Sequence, residues 1–407
     1  MLHPGRTIAS RELIRLLARA TSSVLISRSI SRYALEMQIP SAFQPPKRLL
    51  MGPGPSDVSP SVLKAMSAPL LGHLDPVFVK MMEEIKAMLR TVFQTSNDMT
   101  FPVSGTGSAG MEFCFVNLIE PGDEVVIGVN GVFGTRMVDV AERAGARVIK
   151  VEAPWGRIIE AQQIRDAVKN CRPKLVAMVH AETSTGALTP AEEISKIAHK
   201  AGALMVLDTV TSLGGCPVRI DDWKIDAVYS GTQKCLSCPP GLSPVSLSPR
   251  GMEVATRRKK KVQSWYLDVN LLASYWGQER VYHHTAPITM NYGLHEALRV
   301  VLVEGLENRW RRHEQNHLLL KQGLKELGLT IASQEGHQLW QLNAVTVPEG
   351  VDEAAVRKRL LNDFNIEIGA GLGPLKGKVW RVGLMGETSS RQNVETFLSA
   401  LKTCLGR

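Results

Sequence analysis

Seven short apolar runs punctuate the sequence between residues 99 and 247, each ending in small or polar residues: Met99–Val103, Glu124–Val129, Arg147–Val151, Leu175–Val179, Leu204–Leu207, Ala227–Tyr229 and Pro244–Leu247. Segments with helical periodicity separate many of them, namely Ala109–Leu118, Arg136–Ala144, Glu160–Lys169 and Pro190–Ala201. Apolar runs of strand length without polar alternation suit strands buried on both faces. Their alternation with helices predicts an α/β fold, a mainly parallel seven-stranded sheet with helices on both faces. In such sheets ligands bind beyond the carboxyl ends of the strands. Ser104–Ser108, His180–Gly186, Asp208 and Lys234 fall there. A long helical pattern at Leu294–Glu314 follows. Strand-like Leu329–Ile331, Ala344–Val347, Glu367–Ile368 and Trp380–Gly383 and helical Glu353–Phe364 and Arg391–Cys404 then predict a smaller C-terminal α+β domain. The expected division is an arm over 1–45, a large domain over 46–305 and a small domain over 306–407.

A chain of 407 residues exceeds one ordinary core. No apolar run approaches the ~18–20 residues that span a bilayer, so no membrane partner is expected. The net charge of +9 raises the question of nucleic acid. Eight basic residues against two acidic ones lie within residues 1–48, which leaves the body nearly balanced. The dense run Arg257-Arg258-Lys259-Lys260-Lys261 reads as a solvated loop, and no nucleic-acid partner is expected. Six scattered cysteines give no disulfide framework. Cys235 and Cys238 form a C-x-x-C without the second pair or His cluster that a zinc site needs. Tyr282-His283-His284-Thr285 has adjacent histidines, which in a strand point to opposite faces. No metal is expected.

Residues 1–35 hold six arginines, six serines, two threonines and a single acid, with Arg11, Arg15 and Arg19 recurring every four residues beside an apolar side. An Arg- and Ser-rich, acid-poor amphipathic helix predicts a mitochondrial transit peptide and a matrix destination. The C-terminus Cys404-Leu405-Gly406-Arg407 is not of the S-K-L peroxisomal type.

Two residues point to chemistry. Asp208 closes one strand run, and Lys234 follows the next in Ser230-Gly231-Thr232-Gln233-Lys234. A lysine that forms a Schiff base with an aldehyde cofactor, and a carboxylate that keeps that cofactor's pyridine nitrogen protonated, are both required by pyridoxal phosphate enzymes. Ser104-Gly105-Thr106-Gly107-Ser108-Ala109 lies between a strand and a helix. Its glycines and the helix N-terminus suit a phosphate. Neither the Walker nor the dinucleotide pattern is present, which argues against ATP and NAD. Arg381 lies inside the apolar strand pattern Val379–Gly383, where a charge is costly unless paired. A substrate carboxylate is a natural bidentate partner.

These motifs, with Met51-Gly52-Pro53-Gly54-Pro55-Ser56, Glu182-Thr183-Ser184-Thr185-Gly186, Glu304-Gly305-Leu306-Glu307-Asn308 and Gly371-Leu372-Gly373-Pro374, occur in an order that resembles the alanine–glyoxylate / serine–pyruvate aminotransferase family from about residue 40 to the C-terminus. The resemblance implies a homodimeric, fold-type I, pyridoxal-phosphate-dependent transferase with shared active sites, acting on small amino acids and 2-oxo acids. It implies Lys234 as the Schiff-base lysine, Asp208 at the pyridine nitrogen, Val210 under the ring and Thr183 near it. It implies Thr106, Gly107, Ser108 and Gln233 at the phosphate, with Tyr282 and Thr285 reaching the neighbouring subunit's phosphate. Arg381 takes the substrate carboxylate, and the turn with Gly54 and Ser56 lines the substrate pocket. Phe133 stands where animal members usually stack a tryptophan, Ser108 where vertebrate members have histidine, and Asp57 in place of the usual asparagine. Facing the pocket, Asp57 would disfavour a second substrate carboxylate. Within the family, 3-hydroxykynurenine transaminase shares nearly the same motifs. A cysteine desulfurase on the same fold would need a mobile-loop cysteine near Arg381, and no cysteine lies between residues 239 and 403.

Overall fold

The computed structural model describes residues 40–406. The transit-peptide segment lies almost wholly outside them, and residues 40–47 are exposed coil. Arg48 to the C-terminus forms one compact unit. Its strands are β1 (Leu49–Leu50), β2 (Met99–Ser104), β3 (Glu124–Val129), β4 (Arg147–Glu152), β5 (Leu175–Val179), β6 (Ala181–Glu182), β7 (Ala187–Leu188), β8 (Leu204–Asp208), β9 (Ala227–Tyr229) and β10 (Leu242–Leu247). Four more follow: β11 (Leu342–Thr346), β12 (Ile366–Glu367), β13 (Gly369–Ala370) and β14 (Val379–Gly383).

The seven apolar runs all became strands of one sheet, in the order β2-β10-β9-β8-β5-β3-β4. β10 runs antiparallel to both neighbours, and the other pairings are parallel. Alternate side chains supply two separate cores. Val125, Ile127, Leu175, Ala177, Leu204 and Val206 pack with helices Gly107–Leu118 and Val132–Arg143. Val126, Val176, Met178, Met205 and Leu207 pack with helices Pro76–Phe93, Ala161–Lys169, Ala191–Lys200 and Ile288–Glu304. The period of two therefore aims Asp208 to the face of the first set.

A second sheet, β11-β14-β13, is antiparallel. Its core includes Leu320, Leu360, Trp380, Val382 and Phe397, and also Met51. The sequence reading had grouped Met51 with the large domain, yet β1 pairs in parallel with β12.

Three local expectations are corrected. The pattern Leu294–Glu314 is not one helix: Gly305, at φ 82, separates Ile288–Glu304 from Leu306–Glu326. Leu329–Ile331 is not a strand, and only Ile331 bridges to Val345. Tyr282–Thr285 lies in a loop.

Candidate active site

Gly105, at φ +149, turns the chain out of β2, and a Cβ there would meet that of Ala109 at 2.6 Å. Helix Gly107–Leu118 begins at once. Its N-cap, Thr106, makes no side-chain cap bond, so no side chain claims the first-turn N–H groups. Thr106 and Ser108 are exposed, while Gly107 lies against Val210, whose Cγ2 would be 3.1 Å from an added Cβ. The far end of this helix is held by Arg258, whose Nη1 donates to Asn117 O at 3.1 Å and to Ile119 O at 2.5 Å. One member of the basic run thus serves the cup helix, and Lys259 and Lys260 donate backbone N–H groups to Glu120.

Asp208 ends β8 and is 2% exposed. Its Oδ1 accepts from Val210 N at 2.8 Å. Burial pushes its pKa up to about 7; the Val210 amide and the Tyr229 hydroxyl oppose this, Glu182 adds to it, and Lys234 weakly opposes it. Lys234 follows β9 and is 7% exposed. Its Nζ donates to Pro53 O. Gly54 is required here: at φ +100 it brings the turn so close that a Cβ would lie 2.6 Å from Lys234 Nζ. Burial lowers the Lys234 pKa to about 8, helped by the Arg381 guanidinium and opposed by Cys235 and Asp208. Cys235 and Cys238 are buried free thiols, with burial pushing each to about 12.

Ser56, expected in the substrate pocket, donates its hydroxyl to Lys234 O at 2.7 Å. Asp57 makes its contacts toward the C-terminal unit. Leu50 N donates to its Oδ1 at 3.4 Å, Thr388 Oγ1 lies 3.3 Å from its Oδ2, and its own N–H donates to Thr388 at 3.0 Å. It ties the N-terminal turn to the C-terminal unit.

Arg381 sits in the middle of β14, 8% exposed. Its Nε donates to Ala370 O at 2.7 Å and its Nη1 to Thr183 O at 3.4 Å. Among the described residues it has no ion-pair partner. Burial lowers its pKa, with only Glu182 acting against this. A buried cation held by carbonyls alone awaits an anion.

Glu182 had no assigned role. It is fully buried and accepts from Phe133 N at 3.2 Å, Gly134 N at 3.4 Å, Ser184 N at 3.0 Å and Ser184 Oγ at 2.6 Å. It thereby caps helix Val132–Arg143, whose N-cap is Gly131. Burial raises its pKa against these four donors. Thr183 is buried, with its hydroxyl on that of Thr211. Phe133 is half-buried, with the Arg136 guanidinium 5.1 Å from its ring centroid. Arg136 Nη1 also lies 3.4 Å from Ser108 Oγ. This second cation, beside the cup, was missed by the sequence reading; its signal was the i+3 spacing from Phe133. Gln233 is half-buried, and its Oε1 is buried with no partner. Tyr282 is 59% exposed and Thr285 is exposed, so neither hydroxyl enters this chain's own site. Their loop is tied to the end of β2 by Ser104 Oγ and His284 Nε2 at 2.7 Å. Among the described residues no group of His, Cys, Asp and Glu is placed to hold a metal, and no helix is long and apolar enough to cross a membrane.

The residues fit pyridoxal phosphate. An uncapped helix start with two hydroxyls suits its phosphate, an under-satisfied buried acid suits its ring nitrogen, and a buried lysine with lowered proton affinity suits its aldehyde. Fold and site together define a fold-type I, pyridoxal-phosphate-dependent transferase. More particularly, the model of the class-V aminotransferases matches residues 50–386, and the chain belongs to that family. A solved alanine–glyoxylate aminotransferase from Nostoc sp. is 50% identical, has a TM-score of 0.89, and covers 91% of this chain and 98% of its own. The (S)-ureidoglycine–glyoxylate transaminase of Bacillus subtilis is 40% identical over 380 residues, 89% of this chain and 91% of that protein. The alanine–glyoxylate aminotransferase of Drosophila melanogaster is 41% identical over 365 residues, 88% and 93% of the two chains.

Proposed function

We propose that this aminotransferase moves the amino group of L-alanine or L-serine to glyoxylate or pyruvate in two half-reactions, with glyoxylate as the preferred acceptor. The observation that carries the reading is Arg381, a single buried guanidinium without a carboxylate partner among the described residues, close enough to Lys234 to lower its pKa. One such cation selects a substrate with one α-carboxylate, gripped in a bidentate pair. Glyoxylate appears in the names of both kinds of relative, which favours it as acceptor.

When bound, pyridoxal phosphate supplies an electron sink for the substrate's α-carbon. The chain's own groups do the rest. Thr106, Gly107 and Ser108, with Gln233, hold the phosphate, and Arg136 adds positive charge beside Ser108. Asp208, ionised by a cationic partner, keeps the ring nitrogen protonated. Val210, Thr183 and Phe133 confine the ring. Lys234, with a pKa of about 8, has an appreciable neutral fraction near neutral pH, so its Nζ can take and return a proton at the substrate's α-carbon. Gly54 leaves room for that side chain.

We further propose a homodimer in which Tyr282 and Thr285 of one copy reach the phosphate of the other. The exposed Leu74, Trp265, Tyr266 and Val281 around Tyr282 supply an apolar surface for a second copy. The address in residues 1–45 would deliver the enzyme to the mitochondrial matrix; fusion of those residues to a reporter tests this.

The decisive experiment follows the visible band of the purified enzyme with added pyridoxal phosphate. L-Alanine should lower the band and glyoxylate restore it. A band that ignores alanine and serine but responds to (S)-ureidoglycine or 3-hydroxykynurenine would replace the donor. Failure of glyoxylate to restore it would overturn the acceptor.

A further inference from the structure

A set of charges around the fully buried Arg309, with Glu304 and Arg312 partly exposed, takes no part in the chemistry above. The acid at its centre is Glu304, the last residue of its helix, after which Gly305 turns the chain at φ +82. Glu304 Oε2 receives Arg309 Nη1 at 2.5 Å, and its Oε1 receives Arg312 Nε at 2.6 Å. Arg309 is fully buried, and its Nη2 donates to Cys235 O at 2.7 Å, the carbonyl immediately after Lys234. Arg312 Nη1 donates to Gly386 O at 2.9 Å and to Ser389 O. His313 Nδ1 donates to Arg309 O at 2.7 Å, and its Nε2 accepts from Gly386 N at 3.0 Å. Those bonds require a neutral ring, in accord with a pKa lowered to about 3 by burial and the two arginines.

The two loops so held also touch each other. Glu387 N donates to Ser237 Oγ at 2.8 Å, and a Cβ on Gly386 would lie 3.0 Å from Cys235 O. Ser237 sits at φ 51, a conformation that an L-residue keeps only when its surroundings enforce it. Burying a guanidinium is costly. Here one of its arms goes to a main-chain carbonyl, so the gain is location as well as pairing.

We propose that Arg309 is a positioning residue for Lys234, and that Glu304, by orienting Arg309 and Arg312 together, fixes the Lys234 turn relative to the segment that follows the Arg381 strand. This rests on the family's cofactor chemistry and not on the choice of donor or acceptor. The charged groups that face Lys234 are Arg381 from β14 and Asp208 from β8, with the Cys235 thiol beside them. Arg309 variants leave Arg381 and Asp208 in place and remove one charge that lowers the Cys235 pKa.

The test uses full-length apoenzyme with added pyridoxal phosphate. Attachment requires the unprotonated Lys234 amine to add to the aldehyde carbon and expel one water. Released from Arg309, the turn admits water and Lys234 regains proton affinity. In Arg309→Gln the rate of band formation at pH 7 should fall about tenfold for each unit gained, and the pH of half-maximal rate should rise. Arg309→Lys, which keeps one donor for Cys235 O, should restore part of the shift. A purely structural role would lower Tm and leave the pH midpoint in place, and a folded Arg309→Gln with the wild-type midpoint overturns the proposal. Should Arg309→Gln not fold, Arg312→Gln decides. The proposal expects a KM for the amino donor raised about fivefold or more with kcat within about twofold, and unchanged KM and kcat reject it.

Discussion

Helices Gly107–Leu118 and Val132–Arg143 make an instructive pair. Both have twelve residues, both start at the carboxyl end of a sheet strand, both pack on the same face, and neither N-cap makes a side-chain bond. One is closed from within by the Glu182 carboxylate. The other is left open to the exterior. The same contrast separates the two buried acids. Glu182 has four donors from the protein, whereas Asp208 has the Val210 amide, with the buried Tyr229 hydroxyl near enough to oppose the rise of its pKa. An internal anion builds the scaffold that presents Phe133, and the open helix and under-satisfied acid are kept for the cofactor.

The contrast can be broken most severely at Glu182. Glu182→Ala strips four donors at once and should cost about 3–5 kcal/mol in urea unfolding. A loss under about 1 kcal/mol would mean the closed helix needs no cap. Asp208 should show itself through pH. Its folded pKa of about 7 lies above the ordinary 3.8, so its contribution is fully present below about pH 4 and is lost as pH rises through about 7. Apoenzyme stability should therefore fall by about 2–4 kcal/mol between those limits from this group, and Asp208→Asn should lack that component of the slope. Next, Ser108→Asp places an anion at the open helix. Cofactor affinity should fall about ten- to a hundredfold while stability holds or rises by about 0.5 kcal/mol. Equal cofactor binding in that variant would remove the cup from this helix. The smallest effect is expected for Thr106→Ala. With no cap bond to lose, its unfolding energy should stay within about 0.5 kcal/mol of wild type, against the ~1 kcal/mol of an ordinary N-cap.

Much of this was legible in the sequence. Six of the seven central strands declared themselves because they are buried on both faces, the edge strand β4 being the partly exposed exception, and the strand ends led to Asp208, Lys234 and the cup. Four helices escaped notice although each carried a start signal. Pro60, Pro76 and Pro249 each follow an N-cap, Ser59, Asp75 and Ser248, and Asp268 caps the fourth. Glu182 was visible as a motif member, but its task was not. Its donors come from residues 133 and 134, about fifty positions back, and no local pattern encodes that meeting. The partners of Ser56 and Asp57, at 234 and 388, were hidden for the same reason, since tertiary packing sets them.

The pairing of β1 with β12 bears on how the enzyme comes into being. Leu49 and Leu50 lie beside Ile366 and Glu367, and a few residues later Pro53 meets the Lys234 amine. A ribosome must deliver more than 300 further residues before the first strand finds its neighbour. Until then the turn that receives the lysine has its contacts with the Lys234 segment but not the β12 strand and Thr388 that fix its other side, so the site is incomplete in a nascent chain. Catalytic competence should arrive only once nearly the whole polypeptide has emerged, and shortened products from the 3′ end of the message should be inert.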